Sequence, residues 1–167
     1  MHNLDLILVC VSIKYNLKTT KTGKDMLDTI KEAAENFCIH QIREPHELKD
    51  GVTKKRTLIA YIDIDTQESK KHRVYIASDK GFMQRVSKLF LEEDESDEET
   101  LKDMTLETAN LIIGSAKVIA QDGNSVAYDI GTPHFEKIGE FDFDIDESKT
   151  LRVDDDELTI AIKELDA

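Results

Sequence analysis

Asp103, Glu107, Asn110, Gly114 and Lys117 recur at spacings of four, three, four and three in the segment DMTLETANLIIGSAK. An α-helix turns about 100° per residue, so these positions fall in one narrow stripe. The stripe offers a carboxylate, which can pair with a cation, and a carboxamide, which carries a donor and an acceptor together. Gly114 stands one turn beyond Asn110 and removes a side chain there, so another surface can approach. A helix-interior glycine costs about 1 kcal/mol relative to alanine. Periodicity alone leaves two plainer readings open. Glu107 and Asn110 can be an ordinary exposed pair, and Gly114 can admit a neighbouring element of the same chain.

Other candidates for chemistry are few. No Ser/His/Asp or Cys/His arrangement and no phosphate-cradling glycine loop stands out. The histidines, His2, His40, His46, His72 and His134, occupy no metal-ligand spacing, so no metal site is expected. Cys10 and Cys38 read as buried thiols of a reducing compartment rather than a disulfide framework.

The stripe needs a helix to carry it and a body to hold the helix. Leu106, Ala109, Ile112, Ile113, Ala116 and Ile119 form the opposite, apolar stripe of a long helix, expected from about residue 98 to 121. Ahead of it, residues 4–13 read as a strand and residues 18–25 as a polar break with Thr22 or Asp25 as a cap. Residues 26–42 read as a helix with Met26, Leu27, Ile30, Ala33, Ala34, Phe37 and Cys38 on one face, ended by Pro45 and a polar run. Residues 57–64 and 72–77 read as a hairpin. Ser78 and Asp79 cap a helix to Leu91, with Phe82, Val86, Leu89 and Phe90 on a shared face. The acidic cluster EEDESDEE, residues 92–99, reads as a solvated loop that places favourable charge at a helix N-terminus. Beyond the long helix come a strand at 125–130, a break at Gly131-Thr132-Pro133, weak alternation over 135–145, and a closing hairpin of 150–153 with 158–162. This order lacks regular βαβ alternation, so the expected class is α+β, with helices on an antiparallel or mixed sheet.

Composition narrows the partners. At 167 residues the chain suits one core. A formal net charge of -13 argues against nucleic acid and against an anionic membrane surface. The apolar run Leu6 to Val11 is too short to span a bilayer and poor as a signal peptide, so a cytoplasmic location is expected.

The motif residues add a resemblance. Asp103, Glu107 and Asn110 fit the pattern [D/S]-x3-E-x2-N, and twenty-two residues separate Asn110 from Pro133. This pattern resembles the signature of the CheC/CheX/FliY family of bacterial chemotaxis phosphatases, and the single copy is closest to CheX. Residues 26–167 also follow the family's order of helix, hairpin, short helix, motif helix and strands. Residues 1–25 would then be an N-terminal extension, and the acidic loop 92–99 is longer than the family's.

The resemblance implies a CheC-like α+β fold with long helices on a mostly antiparallel sheet. It implies dephosphorylation of a phosphorylated CheY-type response regulator, with Mg²⁺ in the partner's site and no cofactor of this chain's own. Asn110 would orient the attacking water, and Glu107 would dock onto a cation of the partner. Asp103 and Gly114 would support the contact, and Pro133 would shape a turn beside the helix. A homodimer is likewise implied. Two alternatives stand beside it: a non-catalytic adaptor of the same fold that binds a receiver domain or flagellar switch component, and an unrelated acidic α+β protein.

Overall fold

The computed structural model describes residues 26–66, 70–123 and 128–165. The strand and cap expected before residue 26 lie outside the described residues. Helix α1 (Met26–Phe37) runs into a π-helical turn (Cys38–Ile42). Strands β1 (Glu47–Asp50), β2 (Thr57–Thr66) and β3 (Lys71–Asp79) follow. Then come helices α2 (Lys80–Leu91) and α3 (Glu98–Asp122), and strands β4 (Tyr128–Ile130), β5 (His134–Gly139), β6 (Glu147–Val153) and β7 (Asp156–Leu165).

The strands form one sheet in the order β1-β6-β7-β3-β2, with β4 and β5 both pairing the far side of β2. Every pairing among the described residues is antiparallel, so the α+β class holds and the sheet is antiparallel rather than mixed. Alternation along β2 explains its two faces. Leu58, Ala60, Ile62 and Ile64 point into the main core under the helices, joined by Val74 and Ile76 of β3 and Leu158 and Ile160 of β7. Helix α1 buries Leu27, Ile30, Ala33, Ala34 and Phe37 against this core, as its periodicity requires.

The outer face has its own small cluster of Ile59, Tyr75, Ala77 and Ala161, on which Phe141, Phe143 and Ile145 lie. These three alternate with Asp142, Asp144 and Asp146 in an extended segment that forms no strand. Lysines and a backbone amide hold it down instead. Lys137 Nζ donates to Asp142 at 2.7 Å, Lys163 Nζ to Asp144 at 3.2 Å, and the Glu164 N–H to Asp146 at 2.6 Å. The weak alternation of residues 135–145 is thus divided between β5 and this strap.

Two readings need correction. Leu89 does not join the buried face of α2 but is 46% exposed, because the buried stripe runs through Phe82, Met83, Val86 and Ser87. The polar run after Pro45 is not wholly irregular: Glu47–Asp50 forms β1 against β6, with all four residues exposed. A charged edge strand of this kind is a poor template for further pairing.

Candidate functional site

Helix α3 is built from both ends of its sequence. Asp97 caps it by accepting the Thr100 N–H at 2.8 Å, and Glu98 and Glu99 add negative charge at the positive end of the helix dipole. The backbone bond and the Thr100 hydroxyl hold the Asp97 carboxyl below its ordinary range. The acidic loop therefore does what its sequence suggests at its C-terminal end. Its start is closed by Glu92, which ends α2 in the left-handed region at φ 58° with its N–H on the Lys88 carbonyl.

The apolar stripe of α3 lies on the sheet and on α1, with Ala109, Ile112, Ile113, Ala116 and Ile119 buried and Leu106 partly buried. Two buried threonines widen that stripe. Thr105 donates back to the Leu101 carbonyl at 2.7 Å, and Thr108 donates to Met83 Sδ at 3.6 Å. Satisfied in this way, both hydroxyls are tolerated inside the core.

The polar stripe faces outward. Asp103, Glu107 and Asn110 are exposed, and among the described residues none of the three has a hydrogen bond or ion pair. Glu107 and Asn110 are three residues apart and neighbours on the helix surface, with about 4.5 Å of rise between them. A Cβ placed on Gly114 would meet nothing within 4 Å. Close packing by the described residues therefore does not explain this glycine, since none of them covers it. Lys117 ends the stripe, half-buried, its Nζ 3.9 Å from exposed Asp129 on β4. Lys102, near the start of α3, lies over the Phe135 ring of β5 at 5.4 Å. These two contacts set α3 alongside the edge made by β4 and β5.

Pro133 sits in that edge rather than in the stripe. Tyr61 pairs with His134 and Ile64 with Ile130, so residues 62 and 63 of β2 face residues 131, 132 and 133. The extra residue breaks one edge strand into β4 and β5. Proline is tolerated there because an edge position need not donate to a ladder. Gly131 approaches closely, its N–H donating to the Asp63 carbonyl at 2.8 Å. The four helical candidates therefore share one face of α3, and Pro133 shapes the neighbouring edge.

Among the described residues no group of three or more His, Cys, Asp or Glu side chains is placed to hold a metal ion. Cys38 is buried, and burial pushes its thiol up to about 12, so it stays protonated and packs as an apolar side chain. Cys10 lies outside the described residues. No described helix is long and apolar enough to cross a membrane. The arrangement on α3 can bind a cation at Glu107 and orient a water or polar group at Asn110, on a surface that another molecule can reach.

The sequence matches no known protein-family model and none of the curated proteins. Solved structures do match. CheX from Vibrio vulnificus superposes with a TM-score of 0.68 at 17% identity, over 85% of this chain and 100% of that one. The fold is that of CheX. CheX from Desulfovibrio desulfuricans matches at a TM-score of 0.64 and 14% identity, covering 84% of this chain and 99% of its own. A third match, at a TM-score of 0.61 and 18% identity, covers 84% of this chain and 99% of a chain in the CheX–CheY–BeF3–Mg²⁺ complex from Borrelia burgdorferi. This is the α+β fold, with helices on an antiparallel sheet, that the resemblance implies.

Proposed function

We propose that this protein dephosphorylates the phospho-aspartate of a CheY-type response regulator, presenting α3 to the partner's active site. The observation that carries the reading is the outward pair Glu107 and Asn110, exposed and unpartnered on α3 among the described residues. Two things support it: the motif spacing, and a fold shared with CheX, one example of which is solved in complex with CheY.

An acyl phosphate held with Mg²⁺ by the partner leaves little covalent chemistry to this chain. What remains is to place a water in line with the phosphorus. Asn110 suits that task because its carboxamide both accepts from and donates to a water while adding no negative charge. A carboxylate at the same position would repel the phosphoryl oxygens. Glu107, one turn nearer the helix N-terminus, pairs with a cation of the partner and fixes the depth and rotation of α3. The open space at Gly114 lets the partner's surface come close to the helix backbone. Asp103 lies a further turn back on the same face. Pro133 acts through the edge strand by setting the break beside α3. The chain needs no cofactor of its own for this chemistry. The resemblance makes a homodimer the expected state, which sedimentation equilibrium would measure.

The test is the decay of phosphorylated regulator with wild-type protein and with Asn110→Ala. Accelerated decay with wild type, lost in the variant, is expected. Equal acceleration by the variant would remove Asn110 from the chemistry. Binding without acceleration by wild type would favour the adaptor reading.

A further inference from the structure

A cavity of about 330 Å³ opens at the N-terminal end of α3, away from the Glu107–Asn110 pair, where the start of β2, the end of β5 and the first turn of α2 converge. Its apolar wall is Leu58, Leu101 and Ile138, and its charged lining is Arg56, Lys80 and Glu98. Leu58 and Leu101 are buried core residues, and Thr57 beside them donates its hydroxyl to the Gly139 carbonyl at 2.9 Å. The wall is therefore held by the core and does not depend on a ligand for its shape.

Arg56 is the unusual part. Arg43, Arg73, Arg85 and Arg152 each donate to an acceptor of the chain itself. Arg56 is the remaining arginine of the sequence. Neither it nor Lys80 has a hydrogen bond or ion pair among the described residues. In a chain with net charge -13, acceptors are abundant, yet these two cations are left at the mouth of an apolar cavity. Ligand sites commonly have this character: a mostly apolar hollow with a few convergent polar groups, starting near 300 Å³.

We propose that this cavity binds a small organic anion. Its acidic group would lie between Arg56 and Lys80, whose guanidinium and ammonium suit a carboxylate, sulfonate or phosphate monoester. Its apolar body would rest on Leu58, Leu101 and Ile138. Glu98 faces the same space and restricts the head group to low charge, while accepting from a hydroxyl or amine on the ligand. This site is independent of the phosphatase reading.

The test uses 8-anilinonaphthalene-1-sulfonate, an aromatic body bearing one sulfonate, titrated by fluorescence against the full chain. Saturable binding at one site per chain is expected. The double variant Arg56→Gln/Lys80→Gln should weaken it at least about tenfold, as two charge-assisted contacts are lost. Glu98→Gln should tighten it by about threefold by removing a like charge. Asn110→Ala should leave it unchanged. The substituted cations are exposed and unpartnered among the described residues, so the variants retain the fold, which circular dichroism would verify. Equal affinity in the double variant, no saturable binding, or loss of binding in Leu89→Gln, which alters exposed apolar surface elsewhere, would each overturn the proposal.

Discussion

Both faces of α3 carry polar side chains, and the two faces treat them oppositely. On the buried face Thr105 and Thr108 each donate a hydroxyl hydrogen bond inside the protein. On the outer face Asp103, Glu107 and Asn110 have no partner among the described residues. Burial explains the difference. A polar group taken from water must be given a partner or it costs a few kcal/mol, whereas an exposed one stays solvated at no cost. The outer side chains are thus free to exchange water for a partner, and the inner ones are committed to the fold. The proposed function uses this split, with stability on one face of the helix and recognition on the other.

Substitutions can break that separation if it is wrong. The largest effect expected is on the inner face. Ile112, 1% exposed, changed to alanine should cost about 3 kcal/mol by leaving a cavity. Chemical denaturation would measure this, and decay of the phosphorylated regulator at a temperature where the variant is folded should be unaffected. On the outer face Asn110→Ala should reduce the decay rate on the order of 100-fold, the scale of a misplaced reacting group, with the melting temperature unchanged. Glu107→Ala should act mainly on docking. A rise of about tenfold in KM with a smaller fall in kcat is expected, along with a weaker dependence on salt.

Gly114→Ala sharpens the comparison most, though its effect is the smallest. A methyl group there meets none of the described residues within 4 Å, so the helix should gain about 0.5–1 kcal/mol. If the partner approaches at this point, the same methyl group should weaken binding by a few-fold. A stabilised variant with wild-type affinity would mean that the open space is not used in docking.

Much of α3 is legible without coordinates because its causes are local. The 3.6-residue period sorts its residues onto faces, and the acidic run ending at Glu98 and Glu99 marks its start, while the Asp97 cap is seen only in the structure. Cap and period likewise locate α2, where Asp79 accepts the Phe82 N–H at 2.7 Å. The period was less decisive at Leu89, which lies at the margin of the buried stripe; which margin is covered depends on what packs there. The strap over the outer sheet face is less legible in the sequence. Its Phe-Asp alternation resembles a strand, but its hold comes from Lys137, Lys163 and a backbone amide on β7, none of which the local pattern specifies.

For the candidate site, the sequence by itself determined which residue types share the outer stripe, because helical geometry converts spacing directly into direction. It also gave the motif spacing from Asp103 through Asn110 to Pro133. Only the tertiary structure decided that nothing of the described chain covers Gly114 and that Pro133 breaks the edge strand beside α3. It alone brought Arg56, from the loop before β2, together with Lys80 and Glu98 of two different helices at one cavity. These facts depend on residues far apart in the chain, and their positions follow from sheet order and core packing, which no short-range pattern encodes.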